Sequence, residues 1–350
     1  MAAVPVISSH VLQGLPSFIR NEIGERALLR ANRAAGFDVE LIEDRNFYIP
    51  QQSMVAFVDA MARTVGDKNL GVLLVPNMDV ATYGSFGRYI TQAHTLGEAI
   101  TRSIAALCYH STLDRLDVAT AGEEVRFSYI SPMVGHPGYG SVACAAAGEL
   151  LSLFRPYLPD SWHPLRVELD IPTPCHISVF EDVFQCPIIF NAPAVAVVVE
   201  RRQLMAVSRR TPRSMLTLAD VARDRPGGAP RALLDVARAQ IRAQLLMGDV
   251  SIEEVARSMD TSIRTLQREL QYVGTDFRSL TSMIRVQRAT EMLQDRSISI
   301  TSISEDLGYS SPAGFTRAFR KATGLGPREY RIKELGEPQP RSNDAESETL

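Results

Sequence analysis

The sequence predicts an α+β N-terminal domain followed by an all-α C-terminal domain containing two helix-turn-helix units. Three observations predict it. Up to about residue 200, apolar residues recur in some stretches at spacings of 3–4 and in others at 2. Between residues 231 and 333 only the helical spacing survives, with six or seven short helices and no credible strand. Within that second stretch a bihelical pattern occurs twice, about 48 residues apart. A length of 350 residues fits two or three domains.

The N-terminal elements follow from local pattern. Leu15, Phe18, Ile19, Ile23, Leu28 and Leu29 suggest one helix. Met54, Val55, Val58, Met61, Ala62 and Val65 give a clearer one, stopped by Gly66-Asp67. Thr95 is placed to cap a third, carried by Leu96, Ala99, Ile100, Ile104 and Leu107. The spacing then drops to two. Leu113, Leu116 and Val118, a turn at Gly122, and Val125, Phe127 and Tyr129 predict a hairpin. A helix over Ala143–Phe154, a strand over Leu165–Ile171, a helix over Val179–Phe184 and a strand within Val195–Val199 complete the domain.

Between Arg201 and Pro230 the periodicity weakens and Arg, Pro and Gly collect, as in Arg209-Arg210-Thr211-Pro212-Arg213. This segment, 201–230, reads as a connector with one helix near Met215–Ala222, so the domains span 1–200 and 231–333. The acidic tail 334–350 carries almost no apolar residue and is expected to be disordered. Charge follows the same division: the overall −3 splits into −8 over 1–200, +9 over 201–333 and −4 over 334–350. A basic segment in an acidic chain points to a polyanionic partner for that segment.

Several classes are excluded. Met1–His10 lacks a basic and then apolar leader, and runs such as Ala194–Val199 fall far short of the ~20 apolar residues of a membrane helix. A cytoplasmic protein with no membrane partner is expected. The 4 cysteines form no C-x-x-C pair, and Cys108-x-His110 and Cys175-His176…Cys186 fit no zinc spacing, so buried thiols, no metal and no cofactor are expected. No G-x-S-x-G, H-E-x-x-H or P-loop is present, and no enzymatic activity is expected.

The duplicated segment carries the function. Ser251 and Glu254 form a capping box before a helix whose apolar face is Ile252, Val255, Ala256 and Met259. After a turn, Ser262 caps a second helix with Ile263, Leu266 and Leu270 inward and Arg264, Gln267, Arg268 and Gln271 outward. Arg can bond guanine and Gln adenine bidentately in the major groove. In the second copy Ile300, Ile303 and Leu307 precede a Gly308-Tyr309 turn. Ser311 then caps a helix with Phe315, Ala318 and Phe319 inward and Thr316, Arg317, Arg320 and Lys321 more exposed. A long amphipathic helix through Phe277, Leu280, Ile284, Ala289 and Leu293 joins the copies, so both could enter successive major-groove segments of double-stranded DNA.

Residues 231–331 resemble the DNA-binding domain of AraC/XylS-type bacterial transcriptional regulators. The resemblance rests on Ser262-x-x-Thr265-Leu266-Gln267-Arg268, Gly274-Thr275-x-Phe277, Ile303-x-x-x-Leu307-Gly308-Tyr309-Ser310, Phe315-x-Arg317-x-Phe319-Arg320 and Gly324-x-x-Pro327-x-x-Tyr330-Arg331. It implies that Arg264, Gln267 and Arg268 meet bases or phosphates, and that Pro312, Ala313, Thr316 and Arg317 hold the corresponding second positions. Because Pro312, Ala313 and Gly314 offer no side-chain hydrogen bonds, the first unit is expected to read most bases and the second to orient on phosphates, Ala313 touching at most a thymine methyl. Promoter DNA and RNA polymerase are the implied partners.

The first 200 residues resemble the arabinose-binding-like effector domain of some of these regulators, through Tyr48-Ile49-Pro50, Gly66-Asp67-x-x-Leu70-Gly71, Thr95-Leu96-x-Glu98-Ala99 and Phe180 through Phe190. The resemblance assigns no ligand class. A pocket between the helices and the hairpin is expected, lined from among Tyr83, Arg88, Tyr89, His94, Tyr109, His110 and Tyr129. The expected whole is a homodimeric, ligand-responsive activator in which the connector moves. A repressor or architectural binder, whose N-terminal domain only dimerises or receives a protein partner, stays open as the alternative.

Overall fold

A computed structural model describes residues 4–43, 45–65, 70–209, 215–230, 232–248 and 250–335. The N-terminal half opens with β1 (Val6–Ser8), α1 (Leu15–Glu22), α2 (Glu25–Ala35), α3 (Val39–Ile42), β2 (Tyr48–Pro50), α4 (Gln51–Val65) and α5 (Leu70–Leu74). It continues with α6 (Gly84–Thr91), α7 (Leu96–Ala106), β3 (Arg115–Ala121), β4 (Glu124–Ile130), α8 (Tyr139–Phe154), β5 (Arg166–Glu168), α9 (Ser178–Phe184), β6 (Ile188–Ile189) and β7 (Val195–Glu200). Strands β1 and β2 pair antiparallel; the other five form one sheet in the order β3-β4-β7-β5-β6, antiparallel except for β5-β6.

Pattern explains most of this. Thr95 caps α7 as expected, accepting from the Glu98 amide at 3.3 Å. Gly122 turns the β3–β4 hairpin at φ +60°. The single helix expected from Leu15 to Leu29 is two, because Gly24 sits at φ +108° between them and a β-carbon is disfavoured there. The stop at Gly66-Asp67 lies outside the described residues. Helix α8 is buried along nearly its whole length and packs on β7, α4 and α5, forming the centre of the domain. Its approach to α5 depends on Gly71, where a β-carbon would lie 2.5 Å from the Ser141 Cα.

After α10 (Leu218–Asp224), the C-terminal half is helical among its described residues: α11 (Leu233–Leu245), α12 (Ile252–Ser258), α13 (Ile263–Tyr272), α14 (Phe277–Leu293), α15 (Ile300–Asp306), α16 (Pro312–Thr323) and α17 (Pro327–Leu335). Helix α17 thus enters the expected tail by two residues, and 336–350 lie outside the description. Two small cores form. Val255, Ala256, Met259, Leu266 and Leu270 pack with α11; Ile303, Leu307, Phe315 and Phe319 form the other. Helix α14 serves both, giving Leu280 and Ile284 to the first and Val286, Ala289 and Leu293 to the second.

The duplication extends to backbone geometry. Asp260 (φ +50°) and Gly308 (φ +70°) hold corresponding left-handed turns. Beside them the Thr261 amide bonds the Ala256 carbonyl at 2.9 Å and the Tyr309 amide bonds that of Ser304 at 3.0 Å. Two expectations need correction here. Ile263 is 37% exposed, because it occupies the first turn of α13, before the helix reaches the core. The capping box at Ser251 is half made: Ser251 accepts from the Glu254 amide, but the Glu254 carboxylate pairs with Arg257 at 3.0 Å.

Candidate functional site

The outer face of α13 presents Arg264, Gln267, Arg268 and Gln271, all exposed, while Leu266 and Leu270 are fully buried beneath them. Ser262 fixes the helix start by accepting from the Thr265 amide at 3.1 Å. The side chains of Arg264, Gln267 and Gln271 have no hydrogen-bond partner among the described residues, and that of Arg268 only a long one, to Glu269 at 3.4 Å. On α16 the polar groups are more engaged. Ser311 accepts from the Gly314 amide at 3.2 Å, and Thr316 donates back to the Pro312 carbonyl at 2.9 Å. Arg320 donates to both Glu329 oxygens at 3.0 Å. Arg317 and Ala313 are exposed.

The N-terminal domain holds a cavity of about 60 Å³, adjoined by a second of about 40 Å³, with Ile7, Tyr129, Ala146 and Glu149 common to both walls. Of the expected ligand residues, the structure places Tyr83 and Tyr129 on the larger cavity, together with His110. It does not place Arg88, Tyr89, His94 or Tyr109 there. The period of α6 explains part of this: Phe86 and Ile90 line the cavity, whereas Arg88 is exposed and bonds the Gly84 carbonyl at 3.3 Å. Tyr89 lies under the Arg102 guanidinium at 5.0 Å, His94 is exposed, and the Tyr109 ring lies beside Gly228 of the connector, 3.8 Å from where a β-carbon there would stand.

Sequence reasoning missed the two cavity carboxyls, Asp114 and Glu149. Glu149 accepts from the Tyr83 hydroxyl at 2.5 Å. Asp114 accepts from Tyr129 at 3.0 Å and from the Gln51 amide at 2.8 Å. Burial pushes Glu149 up to about 7 and, against those hydrogen bonds, Asp114 up to about 6. Burial, helped by nearby Arg225 and His10, takes His110 down to about 3, so its ring is neutral. A signal for Glu149 did exist: it is the one charged residue in Val142–Phe154, a run that is apolar or small but for Ser152.

The same wall touches the C-terminal half. Leu107 and His110 line the cavity, and His110 stacks on Tyr83 and Phe86 with ring centroids 5.4 and 4.6 Å away. From the other side of this turn, the Cys108 carbonyl accepts from the Ala229 amide at 2.8 Å, and the Tyr109 carbonyl from the Tyr48 hydroxyl at 2.8 Å. Ala229 and Val6 are buried in the core of the first bihelical unit, with Tyr48 packed against it. Arg225, 7% exposed, donates to Ser8 Oγ at 2.7 Å, lies 2.8 Å from His10 Nδ1, and covers the Tyr48 ring at 4.7 Å. It has no carboxylate within salt-bridge distance among the described residues. Val221 is fully buried as well, so the second half of the connector, expected to move, is anchored.

Paired bihelical units on a shared helix, joined to a cavity-bearing α+β domain, define a DNA-binding regulator with an effector domain. Comparison with known proteins agrees. Residues 27–207 match the family described as the arabinose-binding domain of AraC transcription regulators, N-terminal, and residues 255–333 match a helix-turn-helix domain family. The chain belongs to the AraC family of transcription regulators, whose members are DNA-binding proteins and not enzymes. It is 26% identical over 287 residues to the ornithine utilization regulator of Pseudomonas aeruginosa, covering 76% of this chain and 79% of that one. It is 30% identical over 168 residues to the regulator VqsM of the same organism, covering 44% and 49%. Among solved structures, the transcriptional regulator CdpR from Pseudomonas aeruginosa aligns at 24% identity over 75% of this chain and 85% of that one, with a TM-score of 0.35. No helix of the described residues is long and apolar enough to cross a membrane.

Proposed function

We propose that this chain is a ligand-responsive transcription activator that reads promoter DNA with α13, steadies itself on phosphates with α16, and takes a small effector in the N-terminal cavity. The division of labour runs between residues 1–200 and 231–333, with 201–230 connecting them. The carrying observation is the asymmetry of the two outer faces. Arg264, Gln267, Arg268 and Gln271 stand exposed with their side chains nearly unengaged, and Arg and Gln are the residue types that can make bidentate base contacts. On α16, Pro312, Ala313 and Gly314 occupy the first turn, and the charges sit further along at Arg317 and Arg320. Arg320 exchanges Glu329 for a phosphate on binding. A homodimer would double the site and gain affinity through effective concentration, and activation would act on RNA polymerase. The 107–110 turn, one side on the cavity and the other on Ala229 and Tyr48, is the physical basis for ligand response.

The test is selection from randomised duplex DNA by the intact chain at two salt concentrations. A compact two-part motif with its better-defined half lost in Arg268→Ala is the expected result. Diffuse, motif-free selection that vanishes at the higher salt sinks the reading.

A further inference from the structure

The cavity is electrostatically one-sided. Its titratable wall groups are Glu149, Asp114, Tyr83, Tyr129 and His110, with no Lys or Arg among them. The two carboxyls are partnered only by neutral donors, Tyr83 for one and Tyr129 and Gln51 for the other. The second oxygen of Glu149, Oε2, has no hydrogen bond among the described residues, and the residue borders both cavities. Apart from Ser103, whose hydroxyl donates to the Ala99 carbonyl at 2.8 Å, the remaining lining is apolar: Ile7, Val80, Phe86, Ile90, Phe127 and Leu150 are representative.

Each ligand charge meets a different fate in such a site. An anion would be held in an apolar interior against two acidic groups with no cation in the lining, which is unfavourable. A neutral alcohol could bond Glu149 but would leave its charge uncompensated. A cation with N–H donors supplies both the counter-charge and the donor that Oε2 lacks. The volumes, about 60 and 40 Å³, restrict the apolar part to a few carbon atoms.

We propose that the effector is a small aliphatic primary amine, or a molecule that inserts such an aminoalkyl group, whose ammonium pairs with Glu149 while its alkyl part fills the apolar wall. The proposal rests on the reading of this cavity as the effector site. Binding is simple association: the amine enters as its ammonium, and where Glu149 begins as the acid its proton leaves to solvent.

The experiment is ligand-observed NMR titration of the intact chain with three probes of one shape, n-butylammonium, n-butanol and n-butyrate, repeated on Glu149→Gln and Asp114→Asn. The expected result is saturable n-butylammonium binding, at least tenfold tighter than either other probe. Glu149→Gln, which keeps the side chain's shape and can still accept from Tyr83, weakens it at least tenfold. Circular dichroism establishes that each variant is folded, and Asp114→Asn provides a second reading if Glu149→Gln is not. Equal or tighter binding of n-butanol or n-butyrate, or n-butylammonium binding that Glu149→Gln leaves unchanged, overturns the amine while leaving the cavity a ligand site. No saturable binding by any of the three overturns both.

Discussion

Glu149 shows what one carboxyl does when an apolar helix carries it inward. Its folded-state titration is raised to about 7, so its contribution to stability is full below the ordinary carboxylate range and is lost as pH rises through 7. Asp114, facing the same space, acts in the same direction with a value of about 6, whereas neutral His110 acts oppositely, destabilising the fold as pH falls below its ordinary range. The difference between Glu149→Gln and the parent chain isolates the first effect. That difference should be near zero at pH 3 and shift by about 3 kcal/mol in favour of the variant by pH 8, most of the change falling between pH 4 and 7, read from urea denaturation. A difference that does not change with pH would show that Glu149 titrates normally. Next to Asp114, Leu113 sits at φ +67° and is 51% exposed, so its side chain has little packing to set against a left-handed backbone. Leu113→Gly should stabilise the domain by about 0.5–1 kcal/mol, and a loss of that size would mean that the leucine packs more than its exposure suggests.

At the scale of elements, α13 and α16 are copies with different surfaces. Their turns are the same device, but the second has less freedom: at Gly308 a β-carbon would meet the Gly248 carbonyl at 2.9 Å as well as the left-handed φ. Helix α14, 17 residues and so about 25 Å long, shares a side with each core and joins the two bihelical units. The surfaces make separable predictions. Arg268→Ala should cost about 1–3 kcal/mol on the selected site and relax preference at one position of the motif. Arg317→Ala should weaken all sequences alike and reduce the slope of log affinity against log salt by roughly 0.9. Fluorescence anisotropy on matched and scrambled duplexes measures both, and identical behaviour of the two variants would remove the distinction between base reader and phosphate contact.

For the whole molecule, the two halves are not beads on a string. Val6 lies in the core of the first bihelical unit, and the Gln240 side chain reaches the Tyr48 carbonyl at 3.4 Å. Arg225 pins the junction with a buried guanidinium that meets dipoles and an aromatic face and, among the described residues, no carboxylate within salt-bridge distance, an arrangement that is held only while its hydrogen bonds are complete. Arg225→Ala should speed limited proteolysis within 215–230 several-fold while leaving α8 and the five-stranded sheet folded. Unchanged cleavage would place the docking energy elsewhere, in the apolar contacts of Val6 and Ala229. How much of this was legible follows the range of the forces involved. Caps, turns and one-sided helices depend on residues within a turn or two of each other, so Thr95, Ser262, Ser311 and the outward Arg and Gln of α13 could be read directly, as could the family through its spaced motifs. The break at Gly24, the failure of Arg88 and His94 to reach the cavity, and the pairing of Arg320 with Glu329 were less accessible, because each depends on which face a neighbouring element leaves open. By itself, the sequence determined two domains of different class and a duplicated helix-turn-helix unit with an unequal pair of outer surfaces. Only the tertiary structure decided that Asp114 and Glu149, 35 positions apart, share one cavity, and that the turn beside it bonds to Ala229 in the core of the first bihelical unit. The physical reason is that burial and charge compensation are set by contacts between distant segments, which local periodicity does not encode.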